Sequence, residues 1–480
     1  MSREALQAGR RRALGDVLVQ LVGRVLNLAL GVLVTIVLAR TLGETGYGQW
    51  LTLLAVFQLL GYLTNFGLEM VTVREAAANP DQAEDWVGAL VVTRLALSVP
   101  VMLAALPVVL LVADPGAMLG AGLILILELP LGVGSSLKVV HQLRMRNTLP
   151  MVVVTINSVA WGVAVVAISI LGGGLVALAI ALTACTALSS AIQAFAALQL
   201  VRFRLRPSRA AIVRLLRTGS LLGVVGLLVM AYARVDQVMV FEIAGAHEAG
   251  YYGAVYRLLD QAHFVPVSVM TTLSPVLAGL WASDRERLLR VLRLGAEFMA
   301  IGALGALAFA IVADEQIVTL LYGDDFRPAA PALPVLGGAF VFVCFGYLTS
   351  NMLLVTGLVR KGVVVAFLGL VVNVIGNALL IPPLGFVAAA WTTLATEAVV
   401  VAMSVYYISK KLPLGRAGIG RVPRVALAAV ATLGVLAAAE AAGAPFLVLA
   451  ALFGVAYLPL LFAFRAIEVE DVKALRRGGT

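Results

Sequence analysis

Residues 13–48 read ALGDVLVQLVGRVLNLALGVLVTIVLARTLGETGYG. The apolar run from about Ala13 to Leu38 exceeds the ~20 residues a helix needs to cross a hydrocarbon core. It is too long for a signal-peptide core, and no small-residue cleavage pattern follows it. Within the run, Asp16, Gln20, Arg24, Asn27, Gly31 and Thr35 recur at helical spacing and so share one face, roughly 100° wide. A helix that is apolar overall and polar along one stripe belongs in a membrane, with that stripe turned toward protein, water or a polar ligand.

Thirteen further apolar segments follow, so the chain is expected to have fourteen spans near 15–38, 49–70, 88–112, 117–138, 150–171, 175–200, 218–241, 251–275, 294–313, 332–355, 362–381, 386–408, 422–441 and 445–464. A hydrophobic fraction of 61% over 480 residues excludes an ordinary soluble domain. The links alternate in charge. One set carries Arg10 to Arg12, Arg74, Lys138, Arg144, Arg146, Arg202 to Arg217, Arg285 to Arg293, Arg360, Lys361, Lys410, Lys411, Arg416, Arg421, Arg424 and a basic tail. The other carries Glu44, Asp114, Glu248, Asp314, Glu315, Asp324, Asp325 and Glu440, against only Arg40 and Arg327. Basic links stay on the cytoplasmic side, which predicts both termini inside the cell and an inner-membrane, multi-pass protein. The net charge of +9 is spread over these short links. It suits anionic lipid and gives no basic domain for nucleic acid. Cys185 and Cys344 fall inside spans and are expected to be small core residues.

An internal repeat spans six helices. Glu44-Thr45-Gly46-Tyr47-Gly48 after span one returns as Glu248-Ala249-Gly250-Tyr251-Tyr252-Gly253 after span seven. Arg146 and Asn157 around span five return as Arg360 and Asn373 around span eleven, and Gly174-Leu175-Val176-Ala177 as Gly385-Phe386-Val387-Ala388. An even repeat preserves orientation, so two six-helix lobes are expected to be related by a pseudo-twofold along the membrane normal. The organisation expected is a cytoplasmic tail at 1–12, an N-lobe at 13–205, a C-lobe at 206–415, two extra helices at 416–465 and a cytoplasmic tail at 466–480. Pro100, Pro107, Pro130, Pro266 and Pro334 lie within spans and are expected to kink them.

Arg24 falls near the middle of span one, where a cation needs water, a counter-ion or a polar ligand. A structural ion pair is the alternative. Arg257, Asp260, Gln261 and His263 share one side of span eight, and Arg234 and Asp236 lie near the end of span seven. Arg234–Asp260 and Asp236–Arg257 are candidate pairs. Gln58, Gly61, Tyr62, Asn65 and Glu69 share a face of span two. Glu128 in span four, Glu397 in span twelve and Asp236 are possible coupling carboxylates, able to take a cation or proton or to neutralise an arginine. Asn373 and Asn377 are expected to bond between helices. Tyr47, Trp50, Tyr251 and Tyr252 are expected to be interfacial anchors. No phosphate loop ending in Lys and Ser/Thr, no Cys/His metal spacing and no Ser/His/Asp set is present, so neither enzyme chemistry nor a cofactor or metal is expected.

At this point the chain resembles the multidrug/oligosaccharidyl-lipid/polysaccharide exporter superfamily and, within it, polysaccharide flippases of the Wzx type. The resemblance rests on Leu38-Ala39-Arg40-Thr41-Leu42-Gly43, Glu44 to Gly48, Asn65-Phe66-Gly67-Leu68, Arg234-Val235-Asp236, Ala249-Gly250-Tyr251-Tyr252 and Ala254-Val255-Tyr256-Arg257-Leu258. It implies a two-lobed, all-α polytopic transporter with a central cavity. Such a protein flips polyprenyl-(pyro)phosphate-linked oligosaccharide by alternating access, for cell-surface polysaccharide synthesis. Lipid-linked saccharide and membrane lipids are its implied partners, with a polysaccharide polymerase and glycosyltransferases beside it. A lipid II-type flippase and a cation-coupled multidrug exporter of the same fold are the alternatives. Lipid II flippases use arginines of spans one and eight on the headgroup, and Arg24 and Arg257 occupy matching spans. The charged pair that follows the first arginine in that family is absent, since Val25 and Leu26 follow Arg24. The resemblance thus makes Arg24 and Arg257, with Gln20, Asn27, Arg234, Asp260 and Gln261 nearby, the candidate substrate-binding set.

Overall fold

A long apolar run folds into a helix in lipid because only a helix bonds all its own backbone groups there. The computed structural model follows that rule and describes residues 3–144, 148–201, 206–414 and 420–468, with side chains from Val22 onward. Arg146, the tail beyond 468 and the Gln20 side chain lie outside the described residues.

Among the described residues there are thirteen helical segments long and apolar enough to cross a membrane. The first, Val22–Ala78, has 57 residues, about 85 Å of helix at 1.5 Å per residue. That is too long for one pass. Gly43 divides it, with φ 64° and ψ 179°, a conformation closed to residues with a Cβ. The segment therefore holds two passes, and the fourteen spans expected from the sequence are all present.

The chain separates into two packing units, Met1–Gly250 and Tyr251–Thr480. The first holds α1 (Arg3–Asn65), α2 (Leu68–Ala78), α3 (Ala83–Val112), α4 (Ala117–Leu125), α5 (Glu128–Leu131), α6 (Lys138–Leu143), α7 (Thr148–Ile170), α8 (Leu175–Leu200) and α9 (Arg209–Ala244), and the first turn of α10 (Ala246–Ala262). Here α1 packs on α7 and α9, α3 on α2 and α9, and α8 on α7 and along α4 to α6. The second unit holds the rest of α10, α11 (Phe264–Ser283), α12 (Arg285–Tyr322), α13 (Ala332–Val355), α14 (Val359–Leu384), α15 (Phe386–Ser409), α16 (Val422–Ala441) and α17 (Phe446–Ala463). Its core is α13 packed on α12 and α15, with α14 on α15 and the α16–α17 pair on α12.

Lipid is as apolar as leucine, so helices associate by close packing and hydrogen bonds rather than by expelling water. Glycine provides the approach. A Cβ on Gly48 would collide with the Ala246 carbonyl oxygen, and one on Gly250 with that of Glu44. The two copies of the Glu-x-Gly-Tyr repeat therefore interlock. At the other end of the same seam, a Cβ on Gly223 of α9 would lie 2.6 Å from the Phe66 carbonyl oxygen. Phe66 and Gly67 (φ 39° and 73°) form an elbow between α1 and α2, so the expected face from Gln58 to Glu69 is not one continuous helical face. Asp85 accepts from the Ser208 amide at 2.8 Å and from its hydroxyl at 2.7 Å, and Ser208 in turn caps α9 by accepting from the Ala211 amide. In the second unit, buried Glu297 of α12 accepts from the Arg421 amide at 2.8 Å and pairs with Arg293 at 3.3 Å. Tyr457 of α17 donates to the Ile301 carbonyl at 2.7 Å and lies against Gly305.

Three expectations change. Pro266 and Pro334 stand in the first turns of α11 and α13, where the missing N–H has no partner to lose, so they open helices instead of kinking them. Span eight is accordingly split between α10 and α11. Tyr47, Trp50, Tyr251 and Tyr252 are all buried. Trp50 stacks on Trp161 with centroids 6.2 Å apart and Tyr251 contacts Phe326 and Phe386. They are core residues, because the glycine-rich turns beside them are packed rather than immersed in headgroups.

Candidate functional site

In the first unit, Arg24 stands half-buried on α1 while Val22, Val25 and Leu26 around it are exposed. Gly23 and Asn27 flank Arg24 and seat the helix on α7. A Cβ at Gly23 would lie 2.8 Å from Met151, and Asn27 donates to Thr155 Oγ1 at 3.1 Å. Asn27 Oδ1 has no partner among the described residues, nor does Arg24 form an ion pair with any of them. One side of the polar stripe is thus spent on helix packing, and the guanidinium lies at its edge, held by a helix fixed in place.

Further along the same unit, Asp236 of α9 is buried and Arg234 half-buried. Gln237, beside them, donates to Thr52 Oγ1 at 3.3 Å and to the Ala249 carbonyl at 3.0 Å. Glu128 accepts from Thr186 at 3.2 Å. An ion cluster that the sequence reading missed lies at the end of spans two to four. Glu69 holds Arg94 Nη1 at 2.9 Å with one oxygen and Lys138 Nζ at 2.9 Å with the other. Arg94 was detectable, since a lone arginine in an apolar span demands a counter-charge. Its partner 25 residues away was not.

In the second unit, Arg257 pairs with Asp260 at 3.3 Å on its own helix, and His263 approaches the same carboxylate at 3.9 Å. Spacing of i and i+3 brings the two side chains together on the helix surface. Arg257 remains 28% exposed along its side chain. His263 lies against Phe340 and Tyr347 of α13, and Gln261 is half-buried beside it. Glu397 of α15 faces Gly346, where a Cβ would lie 3.7 Å from its Oε2. Asn377 donates to Asn373 Oδ1 at 3.3 Å, both fully buried and on one helix.

Arg24 in the first unit and Arg257 in the second are thus guanidinium groups on apolar spans with polar side chains nearby. Such a group can donate paired hydrogen bonds to a phosphate. Among the described residues no three His, Cys, Asp or Glu side chains gather closely enough to hold a metal ion.

No curated protein matches the chain. Among solved structures it is similar to the lipid II flippase MurJ in an inward closed conformation, with a TM-score of 0.71, 11% identity, and coverage of 94% of this chain and 99% of that one. An inward-facing multidrug resistance MATE family transporter of the MOP superfamily gives a TM-score of 0.66 at 16% identity, covering 84% and 99%. A MOP superfamily transporter from Pyrococcus furiosus, described as having a binding pocket of reversed polarity, gives 0.57 at 17%, covering 82% and 94%. These likenesses establish the fold, a polytopic all-α transporter fold. Residues 13–281 match the family model described as polysaccharide biosynthesis protein, and with more than half of its length matched the chain belongs to that family.

Proposed function

We propose that this multi-pass membrane transporter of polysaccharide biosynthesis flips polyprenyl-(pyro)phosphate-linked oligosaccharide across the cytoplasmic membrane by alternating access. Carrying a diphosphate and a hydrated sugar through hydrocarbon unaided is prohibitive. Arg24 of the first unit and Arg257 of the second replace the lost solvation by bidentate hydrogen bonds, while the prenyl tail stays in lipid. The observation that carries this reading is Arg24, a half-buried guanidinium in an apolar span, beside exposed Val22, Val25 and Leu26, which forms no ion pair among the described residues. A multidrug exporter for cations would instead present carboxylates there. Both termini face the cytoplasm, and polymerase and glycosyltransferases of the same route act beside the flippase.

The test uses proteoliposomes carrying a fluorescent polyprenyl-diphosphate oligosaccharide, with flipping read as protection from a membrane-impermeant quencher. Arg24→Ala and Arg257→Ala each abolish flipping without loss of insertion. Lysine rescues only in part, because it supplies charge without the planar fork. Undiminished flipping by Arg24→Ala refutes the assignment.

A further inference from the structure

Span four stays helical from Ala117 to Leu143 but changes its winding on the way. α4 ends at Leu125, α5 covers Glu128–Leu131, a 3-10 turn covers Gly132–Leu137, and α6 begins at Lys138. Glu128 opens the second piece, near the middle of the apolar segment Ala117–Leu143. The linking residues Ile126, Leu127, Gly132 and Leu137 keep right-handed helical φ and ψ, so this is a stretch of tighter 3-10 winding within one helix, of the kind that marks strain or a functional place.

Helix α8 packs along all these pieces. Thr186 donates to Glu128, and Gly134 of the turn comes so near that a Cβ would lie 2.7 Å from the Ser190 carbonyl oxygen. Thr183, Thr186, Ser190 and Gln193 follow at steps of three, four and three, an arc of about 80° on one face of the helix. Thr183, Ser190 and Gln193 are 8%, 5% and 3% exposed. Thr183 Oγ1, Ser190 Oγ and Gln193 Oε1 have no hydrogen-bond partner among the described residues. A file of buried oxygens left unpaired in an apolar surrounding is costly unless something mobile visits it.

The groups around Glu128 are few. α4 and the 3-10 turn carry no titratable side chain. α8 carries Cys185, off the polar face. α3 carries Arg94 in its apolar part, engaged by Glu69. The second limb of α1 brings Tyr47 and Tyr62, and Arg40 and Glu44 lie at that helix's far turn. None of these forms an ion pair or hydrogen bond with Glu128 among the described residues.

We propose that Glu128 is a proton-binding acid within the first unit, reached from the Leu200 end of α8 by way of Gln193 and Ser190, and that one proton is taken up and released there in each transport cycle. The link to the cycle rests on the flippase reading; the acid itself does not. A proton fits the donor set better than a metal cation does. The oxygens are strung along a helix with a pitch of about 5.4 Å per turn, too far apart to enclose one ion, whereas hydroxyls and an amide in file can relay a proton through intervening water.

The test uses the full-length protein in proteoliposomes and dicyclohexylcarbodiimide, which adds to a protonated carboxylic acid in apolar surroundings and rearranges to a stable N-acylurea. Peptide mass spectrometry reads the adduct at Glu128. Labelling is expected to fall about tenfold for each pH unit above its midpoint, and to be unchanged when sodium chloride replaces choline chloride. In a second arm, flipping of the fluorescent saccharide lipid responds to an imposed pH gradient, and Glu128→Gln and Gln193→Leu lose that response. Suppression by sodium at constant pH overturns the proton assignment in favour of a metal cation. Labelling that is absent or indifferent to pH overturns the site, as does a Glu128→Gln protein that still follows the gradient. A saccharide lipid that is never flipped counts against the flippase reading and leaves the carbodiimide result standing.

Discussion

The Glu69 cluster makes a prediction with three unequal parts. Its carboxylate serves two cations, Arg94 with a side chain 8% exposed and Lys138 at 40%. Removing Glu69 as Glu69→Ala strands the Arg94 guanidinium in a dry site, for which breaking a buried pair costs about 3–5 kcal/mol. Lys138→Ala leaves Glu69 still bound to Arg94 and removes a half-exposed partner, worth about 0–1 kcal/mol. The double replacement Glu69→Leu with Arg94→Met takes both buried charges away together. It should lie within about 1 kcal/mol of the parent, since an apolar pair of similar size is often as stable as the ion pair. The measurement is unfolding in mixed micelles against increasing denaturing detergent, with intrinsic tryptophan fluorescence, because Trp86 packs in the cluster of Leu68, Val71 and Leu90 next to these residues. Equal costs for Glu69→Ala and Lys138→Ala, or a double variant no more stable than Glu69→Ala, refute the view that Arg94 depends on Glu69 for its burial.

Other perturbations test other contacts. Gly223→Val places a branched side chain where Phe66 already sits and should cost about 1–3 kcal/mol by overpacking in the same denaturation assay. A variant as stable as the parent means that α9 does not rest on the elbow. Glu297→Leu removes the acceptor of the Arg421 amide and the partner of Arg293. It should bring protease cleavage near residue 420 at concentrations that spare the parent, and unchanged cleavage removes its role as the clasp of α16. Single cysteines at Gly173, Asp324 and Gly443 should label from outside intact cells, and those at Arg206, Lys361 and Lys411 only after permeabilisation. Labelling of position 206 or 411 from outside reverses the orientation.

The spans were legible because each needs only a run of apolar residues near the bilayer's thickness, and the Glu-x-Gly-Tyr segments after spans one and seven because the chain repeats there. Partnerships were harder to read. Arg257 and Asp260, three residues apart, could have been paired on helical geometry alone, yet charges on neighbouring spans offered competing arrangements of equal plausibility. The bond from Glu69 to Arg94 depends on an elbow at Phe66–Gly67 that turns Glu69 off the axis of α1. A regular helical wheel drawn through that elbow assigns every later residue to the wrong side. Tyr47 and Trp50 were misjudged for a related reason. Aromatic residues near a span's end suit an interface, but residue type does not reveal that Gly48 lets another backbone in beside them. The change of helical winding after Glu128 left no mark except Pro130 and the glycines at 132 and 134.

The seventh span has a consequence for cutting the protein in two. Its sequence copy number places it at the start of the second half, but it makes several contacts with the first: Asp85 with Ser208, Glu75 with Arg214 at 2.7 Å, Phe66 against Gly223, Thr52 with Gln237. A gene split in the link near residue 206 would divide the ancestral copies and deliver α9 on the wrong fragment, apart from the surfaces that hold it. A split after Gly250 would keep those partners in one polypeptide. Fragments made that second way should insert and accumulate better when expressed separately. The sequence repeat and the packing unit therefore end at different residues, 205 by the repeat and Gly250 by packing.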